Sequence, residues 1–239
     1  MLKHTLLTIC LLTATPASAD WFKGNLVLTP PDCQKLPGYA CRLAETLQYH
    51  SSETGLTWQA DQWQDGNGQS GTTDGASIPL WAQKIIGDPY DESYLKAAVI
   101  HDHYCYKENH VRSWRQTHRM FYTALTHLGL PRAKAKVMYF AVYLAGPKWV
   151  DIVPGEDCGE NCVKNIPYGG IRLDSDRFDD QELQAQISAM NMRLSAGDEL
   201  SLEELEAAAE RADSDDFFYK NGDTYEAKGA GDVEVIPRS

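Results

Sequence analysis

Apolar positions alternate with polar ones early in the chain and change to a helical period further on. Trp21 to Thr29 alternates loosely, with Leu26 and Leu28 on one face, until Pro30-Pro31 stops it. Such a pattern predicts a strand. Thr46–His50 and Leu56–Ala60 predict two more short strands. Gly66-Asn-Gly-Gln-Ser-Gly71 reads as a turn or loop, and Thr72-Thr-Asp-Gly-Ala-Ser-Ile-Pro79 as a tight polar turn ending in proline. Then the period becomes 3.6. Asp91 or Ser93 is the expected cap of a helix over about 94–107, with Pro89 just upstream. Ser113 caps a second helix that runs to Leu128 and stops at Gly129; Trp114, His118, Phe121, Leu125 and Leu128 share one of its faces. A third, from about Arg132 to Leu144, buries Val137, Phe140, Ala141 and Leu144 and ends at Gly146-Pro147. A loop is expected over 147–173. Gln181–Leu194 predicts a polar helix, and Ser201-Leu-Glu-Glu204 is a capping box opening another to about Arg211. Beyond Asp213 the acidic, glycine-containing sequence predicts disorder. The fold class is α+β: small N-terminal antiparallel strands packed with a three-helix unit, followed by an acidic helical tail.

Composition narrows this only at the edges. The chain has 239 residues, 43% hydrophobic and 23% charged, which excludes collagen-like, wholly disordered and multi-span membrane classes. Its net charge of −12 is unevenly placed. Residues 174–239 hold 18 acidic and 6 basic side chains, whereas residues 1–173 hold 16 of each. With no Lys/Arg block, a nucleic-acid partner is not expected. The acidic tail is either solvated or docks a basic protein partner.

Residues 1–19 read as a signal peptide. Lys3 and His4 precede the mostly apolar run Thr5–Ala14, and Ala17-Ser-Ala19 is a small-residue cleavage pattern. The run is far shorter than the roughly 20 apolar residues a membrane span needs. Leu7-Thr-Ile9 before Cys10 lacks the small residues of a lipid-anchor site. The expected layout is therefore a leader at 1–19, a globular domain at 20–173 and a tail at 174–239. The mature protein would be periplasmic or extracellular, with no transmembrane anchor after cleavage. An oxidising compartment favours disulfides. Five cysteines remain after cleavage, an odd number. Cys33/Cys41 and Cys158/Cys162 each flank a short loop and look like local staples, which leaves Cys105. Four cysteines still allow three connectivities, and a metal site is the rival reading.

Reactive groups concentrate in two places: Asp74 in the polar turn, and His101-Asp-His-Tyr-Cys-Tyr106 on the first helix. Residues four apart share a helix face, so His101 and Cys105 are neighbours. A short connection makes the second helix antiparallel to the first. His118 on its apolar face needs a polar partner there, and His101 and Cys105 are the candidates. On its own, His118 reads as a satisfied core histidine. His103 and His110, on flanking faces, are expected at the surface.

From Thr73 to Trp149 the chain resembles the bacterial and phage family known as domain of unknown function 1353. The resemblance is carried by Thr73-Asp-Gly-Ala-Ser-Ile-Pro79, His101-Asp102 and Gly146–Trp149. The family name supplies no activity. The order Asp-Gly-x-Ser-x-Pro, then His-Asp on a helix, then a helix ending in Phe, is also similar to prokaryotic secreted phospholipase A2. That similarity implies Asp74 and Asp102 as Ca²⁺ ligands, hard oxygen donors suited to the ion. It implies His101 as the general base. Two positions depart from it. His118 stands three residues before Phe121, where the pattern has the Asp that orients the base. Cys105 stands where a supporting Tyr is expected, with Tyr104 and Tyr106 beside it.

The expectation is thus a calcium-assisted hydrolase of an envelope ester, acting on a lipid or cell-envelope substrate, with His101, His118 and Cys105 as its catalytic cluster. Two alternatives remain open. His101, His118 and Cys105 could instead bind Zn²⁺ or run thiol chemistry in a peptidoglycan hydrolase. The scaffold could also be a non-catalytic exported binding protein.

Overall fold

The computed structural model describes residues 19–36, 40–66, 70–106, 111–154, 170–174, 176–227 and 236–237. Residues 1–18 of the expected leader, His110, Cys158 and Cys162 lie outside them. The N-terminal strands are β1 (Trp21–Lys23), β2 (Leu28–Thr29), β3 (Cys41–Leu43), β4 (Leu47–Ser51), β5 (Leu56–Ala60) and β6 (Thr72–Thr73). They form two small antiparallel sheets, ordered β1-β4-β5 and β2-β3-β6. The single strand expected over 21–29 is split between the two. Gly24 makes the break: its φ is 97°, and a Cβ there would stand 2.4 Å from the Thr46 carbonyl oxygen. Period-2 burial is plain in β4, where Leu47, Tyr49 and Ser51 point inward. Tyr49 pairs with Trp58 of β5, and both rings are fully buried.

Helices follow: α1 (Leu80–Ile86), α2 (Leu95–Cys105), α3 (Trp114–His127) and α4 (Arg132–Ala145). The sequence reading missed α1, which at seven residues is too short to display a helical period. α2 begins without the expected side-chain cap; the Asp91 carboxylate instead accepts from the Ser93 N–H at 2.9 Å in the turn ahead of it. Ser113 does cap α3, through a reciprocal box with Gln116. α2 packs on α3, α3 on α4, and both small sheets lean on α2. Buried on nearly every face, α2 is the centre of the molecule.

The region expected as a loop contains β7 (Lys148–Pro154) and β8 (Gly170–Asp174), paired antiparallel with Trp149 opposite Leu173. Next come α5 (Gln181–Ser195), α6 (Leu202–Ala212), α7 (Phe217–Lys220), β9 (Thr224–Ala227) and β10 (Ile236–Pro237). α5 and α6 both pack on α4. α5 buries Leu183, Ile187, Met190 and Leu194, a stripe at helical spacing. The disorder expected beyond Asp213 is corrected by α7, β9 and β10. Phe218 is buried there, and the Lys148 ammonium holds Asp216 at 2.8 Å. Other tail acids meet basic groups of the same chain: Glu206 pairs with Arg119 at 2.8 Å, and Asp223 with Arg115 at 3.2 Å. Among the described residues, no helix is long and apolar enough to cross a membrane.

Candidate functional site

The polar turn is held from both sides. Upstream, Cys41 of β3 pairs with Thr73 of β6, and a Cys33–Cys41 disulfide ties the strand to the 3-10 turn Cys33–Lys35. The local staple expected at Cys33/Cys41 is therefore present. Downstream, the Ala76 N–H donates to the Pro89 carbonyl at 2.8 Å. Gly75 fits this contact because it has φ 91°, and a Cβ would lie 2.6 Å from the Pro89 oxygen. Ser77 has φ 47°, uncommon for a residue with a side chain, and its hydroxyl donates to Asp74 at 2.8 Å.

The turn is also bonded to α2. The Thr73 hydroxyl donates to the Asp102 carboxylate at 2.6 Å and accepts from the Gly75 N–H at 3.1 Å. Asp102 is buried, and burial together with the negative charge of Asp74 pushes its carboxyl well above the usual range. Both Asp-bearing segments thus meet, as the motif order predicts.

Behind Asp102, the two histidines face each other. His101 Nε2 lies 2.8 Å from His118 Nδ1, and His118 Nε2 lies 3.1 Å from the Pro147 carbonyl oxygen. A carbonyl only accepts, so His118 carries its proton on Nε2. Its Nδ1 then accepts from His101 Nε2–H, and the lone pair of His101 sits on Nδ1. Neither ring is charged near neutrality. Burial lowers His101 to about 3. Burial, then the neighbouring His101 and Lys148, holds His118 well below its ordinary value. His101 Nδ1 lies 3.8 Å from Asp102 Oδ1, beyond hydrogen-bond length. The ring of Phe121 covers His101, centroid to centroid 4.8 Å.

Cys105, outside any disulfide, places Sγ 3.7 Å from both ring nitrogens of His101. The expected His101–Cys105–His118 cluster is therefore formed, but its chemistry is constrained. Burial and the charges of Asp102 and Asp176 push the thiol well above its ordinary value, the opposite of what activates a nucleophile. A zinc site fits no better. The two imidazoles spend nitrogens on each other rather than converging on one point, and among the described residues no three His, Cys, Asp or Glu side chains could hold an ion together. The flanking tyrosines serve the sheets: Tyr104 accepts from the Gln59 N–H at 3.0 Å, and Tyr106 donates to the Thr72 carbonyl at 2.9 Å.

Two placements differ from expectation or were missed. His103, expected at the surface, is buried, because α2 is enclosed on the sheet side as well; it faces the Tyr104 ring and lies 3.9 Å from Asp61. The Pro147 carbonyl was missed because a backbone acceptor leaves no side-chain signature. Its only sequence trace is the Gly146-Pro147 stop of α4.

The family described as "Protein of unknown function (DUF1353)" has a model that matches residues 41–142. The match covers 102 of the 239 residues, and over that span the chain is similar to this family. The DUF1353 segment carries Asp74, His101, Asp102, Cys105 and His118, and ends before Pro147 and α5. Uncharacterized protein y4iH of Sinorhizobium fredii (strain NBRC 101917 / NGR234) is 39% identical over 165 residues, covering 66% of this chain and 65% of that protein. Uncharacterized protein y4jT of the same organism is 44% identical over 97 residues, covering 41% of this chain and 28% of that protein. The chain thus spans less than two thirds of either relative. No solved structure matches it.

Proposed function

We propose that this protein is an exported hydrolase of an envelope ester, laid out as in secreted phospholipase A2, with His101 Nδ1 as the base. The observation that carries this reading is the 2.8 Å contact from His101 Nε2 to His118 Nδ1, backed by the Pro147 carbonyl. It commits the lone pair of His101 to the nitrogen beside Asp102. In the reaction, a water proton passes to His101 Nδ1 while the water oxygen bonds to the ester carbonyl carbon. The carbonyl π pair becomes an oxyanion. When that pair returns, the ester C–O bond breaks and the leaving alkoxide takes the proton from Nδ1. The imidazolium formed midway is met by His118, whose hydrogen bond becomes charge-assisted.

A divalent cation would find oxygen donors in Asp74 and Asp102, and its charge would offset the burial and the neighbouring Asp74 charge that together raise Asp102. Bound there, Ca²⁺ would supply polarisation of the ester carbonyl oxygen. Export is supported by the Cys33–Cys41 disulfide, since such bonds persist in oxidising compartments.

The test is release of fatty acid from phospholipid vesicles by the purified full chain, with and without Ca²⁺. We expect turnover that His101→Asn lowers by about 10²-fold or more. Absence of turnover in both conditions, or equal turnover in the variant, overturns the reading.

A further inference from the structure

The last four carbonyls of α4 have no partner within the helix and must find one elsewhere. Three of them belong to the buried residues Tyr143, Leu144 and Ala145, where an unpaired carbonyl is costly. The Val142 carbonyl accepts from the Gly146 N–H at 2.9 Å. The Tyr143 carbonyl would look four residues on, to position 147, but proline has no N–H to give. The Tyr219 hydroxyl donates to it instead, at 2.8 Å. The Lys148 ammonium takes the Leu144 carbonyl at 2.9 Å, and the Arg177 N–H takes the Ala145 carbonyl at 2.6 Å. Lys148 is itself held by Asp216 at 2.8 Å and lies over the Tyr219 ring. The C-terminal tail thus closes the end of α4. Tyr219 and Arg177 do so directly, and Asp216 does so by way of Lys148.

This end of α4 runs straight into the acceptor of the histidine pair. Gly146 and Pro147 follow Ala145, and the Pro147 carbonyl receives the His118 Nε2–H at 3.1 Å. That carbonyl belongs to the peptide joining Pro147 to Lys148, so the Lys148 side chain anchors the same peptide from its far side. With the carbonyl in place, the proton of His118 stays on Nε2; with the carbonyl turned away, either ring nitrogen can carry it. We infer that the C-terminal tail is a positioning element of the candidate site. Tyr219, Asp216 and Arg177 fix the end of α4 and so aim the Pro147 carbonyl at His118. All three, with Pro147 and Lys148, lie beyond residue 142, outside the DUF1353 span, whereas both histidines lie inside it. The shared segment supplies the histidine pair and the tail sets its tautomer. The aim of the carbonyl stands on this geometry alone; its effect on turnover rests on the hydrolase reading.

The test uses the full chain, labelled with nitrogen-15, and reads the His118 ring by NMR near neutral pH. Two variants remove a donor to α4 while keeping apolar bulk in its place: Tyr219→Phe, and Lys148→Met combined with Asp216→Leu. A third, Leu205→Ala, empties a buried position of α6 and removes none of these bonds. Native His118 should show widely separated Nε2 and Nδ1 resonances, the mark of a single tautomer. The first two variants should draw them together as the second tautomer becomes populated. Leu205→Ala should leave them apart although it lowers the melting temperature. On phospholipid vesicles, kcat should fall by about tenfold in the first two variants with KM unchanged. Resonances that stay apart in both donor-removing variants, or that converge equally in Leu205→Ala, overturn the inference. Convergence in the donor-removing variants, with no vesicle turnover by any of the proteins, would remove the hydrolase reading and leave the role of the tail standing.

Discussion

His101 and His118 form a tautomeric relay: the Nε2–H of the first ends on Nδ1 of the second, 2.8 Å away, and the second is anchored by the Pro147 carbonyl at 3.1 Å. A neutral acceptor stands where a carboxylate would neutralise an imidazolium. The relay therefore fixes orientation strongly and stabilises charge weakly, which agrees with the lowering of His101 to about 3. Nitrogen-15 NMR near neutral pH should show both rings as Nε2–H tautomers. His118→Ala should free the His101 tautomer and lower ester turnover by about 10²-fold. His118→Asp should raise the His101 pKa and keep more activity than Ala does. A native His101 found as the Nδ1–H tautomer contradicts the relay.

The same burial sets a pH dependence of stability. His101, His103 and His118 are all lowered in the folded protein. For a base with a depressed folded pKa, the unfolded chain binds more protons. Stability is then complete above the unfolded value near 6.5 and falls as pH drops through that value. Asp102 and Asp176 are raised and act oppositely: between about 3.8 and their folded values, they favour the folded state at lower pH. The histidines begin to bind protons in the unfolded chain as pH falls through 6.5, so urea denaturation between pH 6.5 and 4.5 should show stability declining with acidity. Replacing His118 by Gln removes one titrating group and should reduce that slope by about 1.4 kcal/mol per pH unit. An unchanged slope would mean that His118 titrates normally.

Thr73 joins the turn to the helix through a buried carboxyl acceptor. Thr73→Val keeps the shape but strips Asp102 of its hydroxyl donor, at a cost of about 1.5–3 kcal/mol. Combining Thr73→Val with Asp102→Leu should cost less than the sum, since the stranded carboxylate is gone. Urea midpoints of the two singles and the double decide it, and strict additivity refutes the coupling.

How much of this was legible in the sequence depended on what kind of signal each part leaves. Capped, periodic helices such as α3 and α6 are written in Ser113-x-x-Gln116 and Ser201-x-x-Glu204, and both boxes form. The pairing of His101 with His118 followed from helix spacing and from the need of a buried imidazole for a partner. Contacts made by the backbone were invisible: the Pro147 carbonyl that sets the tautomers, and the Gly24 turn that splits β1 from β2. The tail misled for a different reason. Its acids look solvent-bound in composition, yet Glu206, Asp216 and Asp223 meet Arg119, Lys148 and Arg115, and such long-range pairing has no local pattern.

That pairing makes the last prediction. Lys148 is almost wholly buried, donates to the Leu144 carbonyl at 2.9 Å and to Asp216 at 2.8 Å, and lies over the Tyr219 ring at 4.6 Å. Burial lowers its pKa, and Asp216 works against that lowering. Lys148→Met removes one charge and leaves the buried Asp216 with only the Phe218 N–H at 2.7 Å and the Arg177 guanidinium at 3.9 Å, which costs about 3 kcal/mol. Adding Asp216→Leu removes the stranded carboxylate and should recover much of the loss, because desolvating a buried pair offsets much of its attraction. The single variant should also loosen α7, so limited proteolysis should cut first near residues 213–220. The double variant should resist that cleavage. If the single variant is as stable as the native chain and cuts elsewhere, Lys148 does not hold the tail to the core.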